Sequence, residues 1–289
     1  MSKTVDVFFS QKKKLVETNN IIVSTPIEQI SSELFVKRED LACPPPGPPF
    51  GKVRGLYPVL QKLKEKGVEV VSYMDTSISM AGWGVSYFAK QLRMKAVIFY
   101  PQYKEFRHNQ EEYIKKWHEF GAEVIPLDKP NRQQINWYRA KKILDQKYPY
   151  SELLPQGLPF EETIENVVDE IKKDYDKMIH FECVMVSVGS GIMLSGIVKG
   201  FESIGYRPEI YGIFVAPKNK ENMKNKIYKH SGVVYDKLFL IDTEYEYTDR
   251  EDMEIPFPCN PYYDAKAWKF TTEYLKLFRK PILFWNTGA

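Results

Sequence analysis

Residues 39–56 read Glu-Asp-Leu-Ala-Cys-Pro-Pro-Pro-Gly-Pro-Pro-Phe-Gly-Lys-Val-Arg-Gly-Leu, and the predicted fold is organised around them. Five of the six residues 44–49 are proline, which fixes φ and makes this turn stiff. Lys52 follows Gly51, where leucine spacing predicts that a helix begins. Because the positive end of a helix disfavours a cation, Lys52 has a physical reason to lose its proton. A rigidly held neutral lysine suits Schiff-base chemistry, and a solvated lysine after a turn is the alternative interpretation.

Length and composition indicate a globular protein. The 289 residues suggest about two domains, or one large α/β unit with a subdomain. A hydrophobic content of 43% supports a sizeable core, and the net charge of +3 excludes an overall polycationic protein. The three cysteines are widely separated and lack CxxC spacing, which indicates a reducing compartment without a disulfide framework.

The N-terminal segment has no apolar core of the signal-peptide type and carries lysines at residues 12–14. No apolar run approaches the roughly 20 residues that span a bilayer. We therefore expect a cytoplasmic protein. The four histidines are dispersed without ligand spacing, so we expect no metal site.

Strand and helix patterns alternate along the chain. Strands are predicted at residues 34–37, 68–73, 95–100, 123–126, 183–188, 209–215, 237–241 and 281–285. Helices are predicted at residues 54–66, 106–120, 133–147, 160–177 and 264–278, with others that end at residue 93 and that follow residue 196. This alternation predicts the α/β class, with parallel sheets covered by helices in two units.

Two loops between a strand and a helix are candidate binding sites. Residues 189–196, Gly-Ser-Gly-Ile-Met-Leu-Ser-Gly, direct backbone N–H groups and a helix N-terminus at one point, which suits a phosphate. Tight packing is the alternative interpretation of these glycines. Residues 75–84 offer Thr76, Ser77 and Ser79 beside free N–H groups, which suits a carboxylate. A plain helix cap is the alternative there.

A lysine, a phosphate loop and a carboxylate loop together are the components that bind pyridoxal phosphate and an amino acid. In this order they resemble the fold-type II pyridoxal-phosphate enzymes, the tryptophan synthase β-like superfamily. The nearer branch is that of 1-aminocyclopropane-1-carboxylate deaminase and D-cysteine desulfhydrase. The resemblance rests on the segments at residues 25–26, 34–40, 50–55, 77–82, 189–196, 263–267 and 283–288.

The resemblance implies the cofactor pyridoxal 5′-phosphate, a Schiff base on Lys52 and a homodimer. It implies a large cofactor-binding domain of residues 1–54 and 148–289, with a small α/β domain of residues 55–147 inserted. A hydroxyl from Thr287, rather than a carboxylate, is expected opposite the pyridine nitrogen. The implied site residues are Lys52 and Tyr263 for catalysis, Gly189, Ser190, Gly191, Ile192, Met193, Met80 and Thr287 for the cofactor, and Thr76, Ser77, Ser79, Ala81 and Gly82 for the substrate.

One departure from the family pattern is Met80, which stands where the family usually has an asparagine that bonds the cofactor. The first hypothesis is a lyase or deaminase that acts on a small amino acid by elimination, deamination or replacement. The second is an enzyme that acts on an aminoacyl group attached to nucleic acid, since residues 218–229 carry five lysines. A solvated helix face also explains those lysines. The third hypothesis is a non-catalytic protein that binds the cofactor.

Overall fold

A computed structural model describes residues 21–130 and 132–289. The lysines at residues 12–14 lie outside these ranges. In the part of the chain that is described, no helix is long and apolar enough to cross a membrane.

Ten strands form two sheets in the described residues. The strands are β1 (Ile27–Gln29), β2 (Leu34–Arg38), β3 (Val70–Met74), β4 (Lys95–Pro101), β5 (Glu123–Leu127), β6 (Ser151–Leu153), β7 (Cys183–Val188), β8 (Glu209–Phe214), β9 (Leu238–Ile241) and β10 (Ile282–Asn286). The larger sheet has the order β1-β2-β10-β7-β8-β9, and the smaller has the order β5-β4-β3-β6. All pairs are parallel except β1 with β2.

The helices cover both faces of the sheets. They are α1 (Val53–Glu65), α2 (Ala81–Gln91), α3 (Gln110–Glu119), α4 (Gln133–Lys147), α5 (Glu161–Lys173), α6 (Tyr175–Met178), α7 (Ile192–Ser203), α8 (Lys220–Ser231) and α9 (Asp264–Glu273). Alternate residues of β7 face opposite sides, so Val186 packs with α5 and α7, whereas Met185 packs with α9. In the smaller sheet, Tyr73 packs with α1, α2 and α3, and Val97 packs with α4. The predicted class of three-layer α/β units with parallel sheets is confirmed.

Several predicted boundaries differ from the structure. The predicted helix at residues 106–120 begins only at Gln110, and that at residues 160–177 divides into α5 and α6. The helix predicted to end at residue 278 ends at Glu273, before a short 3₁₀ turn. The sequence did not predict strand β6, because its three residues lie in a proline-punctuated connection. Strand β6 pairs with β3 of the smaller sheet, although it lies after residue 147, where the predicted small domain ends.

A buried network of charged side chains fixes the start of α1 against α5. Arg54 donates two hydrogen bonds to the Glu39 carboxylate, at 2.6 and 3.0 Å, and lies 3.3 Å from a Glu170 oxygen. Lys37 reaches Glu170 at 3.2 Å and Asp174 at 2.8 Å. Because an unpaired charge is costly to bury, this network holds β2, the proline-rich turn and α1 in one arrangement.

We expect Arg54→Met to lower the free energy of unfolding by about 3–5 kcal/mol, because Glu39 and Glu170 would lose a buried cation. Urea unfolding, followed by tryptophan fluorescence, measures the change. The matched control is Lys62→Met, in the same helix as Arg54, which removes the solvent-exposed ion pair between Lys62 and Glu162. This variant should leave the unfolding free energy unchanged within error. Equal unfolding free energies for the two variants would contradict the role assigned to the network.

Candidate active site

A cavity of about 370 Å³ lies at the carboxyl ends of strands from both sheets. Thr76 follows β3, Gly189 follows β7, Val215 follows β8 and Thr287 follows β10, and all four line this cavity. Ligands in open α/β folds bind at this end of the strands, where loops from several strands converge. The cavity is therefore the candidate active site.

Lys52 lies in this cavity, immediately before α1. Its Nζ donates a hydrogen bond of 3.0 Å to the carbonyl of Gly157, which the sequence did not single out. Burial, together with the charges of Lys226 and Lys218, lowers the pKa of Lys52 to about 8, whereas the charge of Asp264 opposes this change. The sequence argument gave the helix terminus as the reason for a low pKa, but desolvation of the amine is the main cause.

The glycine turn after β7 lies on another wall of the cavity. Gly191 has φ of +87°, which favours glycine, and it precedes the first turn of α7. Ser190 Oγ is buried and has no hydrogen-bond partner among the residues that the structure describes. Gly189, Ser190 and Met193 line the cavity, whereas Gly191 and Ile192 lie behind it.

Thr287 lines the cavity together with a carboxyl group. Its hydroxyl donates to both Asp264 oxygens at 3.0 Å, and its N–H donates to Asp264 Oδ1 at 2.9 Å. Ser187 donates to the same oxygen at 2.9 Å. Burial nevertheless raises the pKa of Asp264 to about 7. A carboxyl group therefore lies beside this hydroxyl, which the sequence did not indicate because residues 264 and 287 meet only in the folded chain. The contact of the Thr287 hydroxyl with the pyridine nitrogen stays a prediction.

The predicted carboxylate loop uses several of its donors internally. Asp75 is fully buried and accepts the N–H groups of Thr76 and Gly82, at 2.8 and 2.6 Å. Burial raises the pKa of Asp75 to about 7, although these hydrogen bonds oppose the change. Thr76, Ser79 and Ala81 line the cavity, whereas Ser77 and Gly82 do not. The donors that remain for a substrate are fewer than the sequence indicated.

Two further predicted residues, Met80 and Tyr263, also line the cavity. Met80 is 8% exposed and directly precedes α2, so it gives this wall an apolar surface. The Tyr263 hydroxyl lies 2.7 Å from that of Tyr247, a residue with no sequence signal of its own. Burial raises the pKa of Tyr263 well above its ordinary value, which keeps the hydroxyl protonated.

Two comparisons with known proteins identify the family of this chain. The family described as pyridoxal-phosphate dependent enzyme matches residues 16–239. The chain belongs to this family. A protein of Pseudomonas phage M6, named glycyl-dTMP PLP-dependent decarboxylase, is 32% identical over 281 residues, which cover 93% of this chain and 99% of the phage protein.

Solved structures share the fold of this pyridoxal-phosphate-dependent enzyme. An ACC deaminase homologue superposes with a TM-score of 0.74 at 20% identity, and the match covers 93% of this chain and 90% of that one. The processed form of threonine deaminase isoform 2 from Solanum lycopersicum has a TM-score of 0.67 at 15% identity, over 93% and 85% of the two chains. These likenesses confirm the fold-type II architecture.

The residues of the cavity fit the family's cofactor, pyridoxal phosphate. Lys52 supplies the amine, and the turn before α7 offers backbone N–H groups to a phosphate. The unpartnered Ser190 hydroxyl would add a donor to that phosphate. A Cβ on Gly189 would come no closer than 3.8 Å to Tyr263, so the turn leaves open space on this side. Asp264 and Thr287 add a carboxyl and a hydroxyl group in the same cavity.

We expect the rate at which apoprotein binds pyridoxal phosphate to rise with pH and to level off above about pH 8, because only the neutral Lys52 amine is nucleophilic. The growth of the visible absorption band in stopped flow measures this rate. A rate that continues to rise towards 10.5, the ordinary pKa of lysine, would contradict a depressed pKa. Lys52→Ala should show no such band, whereas Lys66→Ala, at the exposed end of α1, should behave as wild type.

Ser190→Ala should weaken retention of pyridoxal phosphate about tenfold, because it removes a donor to an anionic group. Equilibrium dialysis with absorption detection measures the dissociation constant. Binding of pyridoxal, which has no phosphate, should be unchanged in this variant. Ser203→Ala, at the exposed end of α7, is the control. An equal loss of affinity for both forms of the cofactor would contradict a phosphate contact.

Proposed function

We propose that this protein removes the carboxyl group, as carbon dioxide, from an amino acid unit carried on a nucleotide. The observation that carries the proposal is the similarity to the phage protein, whose name gives decarboxylation and a glycyl nucleotide. That similarity covers 93% of this chain and 99% of the phage protein, so it extends over nearly the whole of both chains. A glycyl group on a nucleotide is related to the substrate of the second hypothesis, an aminoacyl group attached to nucleic acid, whereas decarboxylation was not among the predicted reactions.

The reaction breaks the bond between Cα and the carboxylate carbon. The electron pair remains at Cα, carbon dioxide leaves, and one proton takes the place of the carboxylate. Pyridoxal phosphate, when bound, supplies an electron sink for the electron pair at Cα. Lys52 is the proposed donor of the new proton to Cα, because its pKa of about 8 lets the amine gain and lose a proton near neutral pH.

The apolar wall of the cavity favours loss of the carboxylate. Phe50 and Met80 are each 8% exposed and line the cavity. A carboxylate that lies against these side chains loses its hydration, which raises its free energy. Uncharged carbon dioxide does not carry this cost, so its release is favoured. Met80, which departs from the family pattern, therefore has a function in the proposed reaction.

Tyr263 is the proposed contact to the amino acid unit. Its hydroxyl stays protonated because burial raises its pKa, and Tyr247 lies within hydrogen-bonding distance at 2.7 Å. A protonated hydroxyl donates hydrogen bonds to a carboxylate or carbonyl oxygen. We therefore assign Tyr263 to substrate orientation rather than to nucleophilic attack.

The test is incubation of the holoenzyme with glycyl-dTMP, with release of carbon dioxide as the measurement. We expect one carbon dioxide for each substrate consumed, a rate at least about 100-fold lower for Lys52→Ala, and an unchanged rate for Lys66→Ala. The product nucleotide, identified by mass spectrometry, should have lost the mass of one carbon dioxide.

Two other outcomes would overturn this assignment. Ammonia or pyruvate from free amino acids, without carbon dioxide from glycyl-dTMP, would favour a lyase or deaminase of small amino acids. A visible cofactor band without any product from either substrate class would favour a protein that binds the cofactor without turnover.

A further inference from the structure

Two lysines near the cavity, Lys218 and Lys226, affect the pKa of Lys52 by their charge but have no binding role so far. Strands β7 and β8 are parallel neighbours, with Val188 opposite Phe214, so the segments that follow them leave the same edge of the sheet. Gly189 and Ser190 follow β7, and Lys218 follows β8 and lines the cavity. Lys218 is therefore placed at the rim, on the side of the glycine turn.

Helix α8 brings the second lysine to the same place. A Cβ on Gly191 would lie 2.8 Å from Met223 Sδ and 3.6 Å from Ile227 Cγ1, so α8 packs directly on the turn. Lys226 adjoins Ile227 on this helix and is exposed. Lys226 lies three residues after Met223, nearly one helical turn, so it is on the side of α8 that adjoins the glycine turn. Its charge also contributes to the lowered pKa values of Lys52 and Lys218.

These lysines differ in their partners from others in the same run. Lys220 lies 3.4 Å from Asp242, and Lys224 lies over the ring of Tyr228. Within residues 21–130 and 132–289, no carboxylate lies within 4 Å of the amines of Lys218 and Lys226. Two unpaired like charges at a cavity rim repel each other, and an anion between them would relieve that repulsion.

The carboxyl groups of the cavity do not serve as this anion. Asp264 is bonded to Thr287 and Ser187, and Asp75 accepts N–H groups of its own loop. Burial raises the pKa of each carboxyl group to about 7, so neither is fully ionised at neutral pH. An anion from outside the chain would therefore relieve the repulsion between the two amines.

We propose that Lys218 and Lys226 form a phosphate-binding site at the rim of the cavity. Lysine binds phosphate as a mobile point charge, and the two amines on adjoining segments can approach one phosphate from two sides. Two phosphates could bind here, that of the substrate nucleotide and that of the cofactor. Binding of the nucleotide phosphate rests on the proposed function, whereas binding of the cofactor phosphate does not. The chemistry of recognition is the same for both.

The experiment compares two double variants with equal changes of charge. Lys218→Gln with Lys226→Gln removes the proposed site, and Lys224→Gln with Lys229→Gln removes two other lysines of the same run. In the first arm, calorimetry measures binding of dTMP and of thymidine to each holoenzyme. In the second arm, equilibrium dialysis measures the affinity of each apoprotein for pyridoxal phosphate and for pyridoxal. Thermal melting verifies that both variants are folded.

If the site binds the phosphate of the nucleotide, wild type and the control variant should bind dTMP at least about tenfold more tightly than thymidine. The Lys218/Lys226 variant should then bind dTMP and thymidine equally, and its affinity for pyridoxal phosphate should be that of wild type. For the cofactor phosphate, that variant should instead lose about tenfold in affinity for pyridoxal phosphate and none for pyridoxal. Either result supports the site and identifies its source.

Behaviour identical to the control in both arms would overturn the proposal. Neither arm measures carbon dioxide, so the two proposals fail separately. If the Lys218/Lys226 variant loses the preference for dTMP but wild type releases no carbon dioxide, the phosphate site is supported and the proposed reaction is wrong. If the Lys218/Lys226 variant releases carbon dioxide and binds dTMP and pyridoxal phosphate as wild type does, the reaction is supported and the phosphate site is wrong.

Discussion

The buried pairing of Arg54 with Glu39 and Glu170 is the interaction on which the active site depends. Arg54 lies two residues after Lys52, so the network fixes the backbone that presents the amine. The turn is also tied to β10, because the N–H of Gly51 donates to the carbonyl of Thr287 at 2.8 Å. Lysine and threonine therefore occupy fixed positions across the cavity, as a preorganised site requires.

Burial also sets the acid–base properties of this site. It penalises the charged form of every group, so it lowers the pKa of Lys52 to about 8 and raises those of Asp75 and Asp264 to about 7. Three groups that ordinarily titrate far from neutrality thus come close to it. Such groups can exchange protons with a substrate at physiological pH, and groups perturbed in this way cluster at active sites.

The chemistry of the cofactor and the choice of substrate belong to different parts of the cavity. Lys52, Ser190 and Thr287 offer an amine, a hydroxyl beside the glycine turn and a second hydroxyl, which fit the cofactor of the family. Met80 differs from the asparagine that the family usually has at this position. Specificity is a difference between affinities, so we propose that Met80 and the rim beside α8 distinguish a nucleotide-bound substrate from a free amino acid.

The sequence by itself determined the alternating α/β architecture, the family, its cofactor, the position of Lys52 before a helix and the glycine turn after β7. The architecture and the positions of Lys52 and the glycine turn depend on local hydrophobic periodicity and on glycine and proline at particular positions, which short segments display. The family and its cofactor followed from the resemblance of several motifs in order. Only the tertiary structure decided that Asp264 bonds Thr287, that Gly157 accepts from Lys52 and that Ser151–Leu153 joins the smaller sheet. Each of these contacts joins residues separated by more than twenty positions, so no local pattern encodes it, and burial then changes the pKa values.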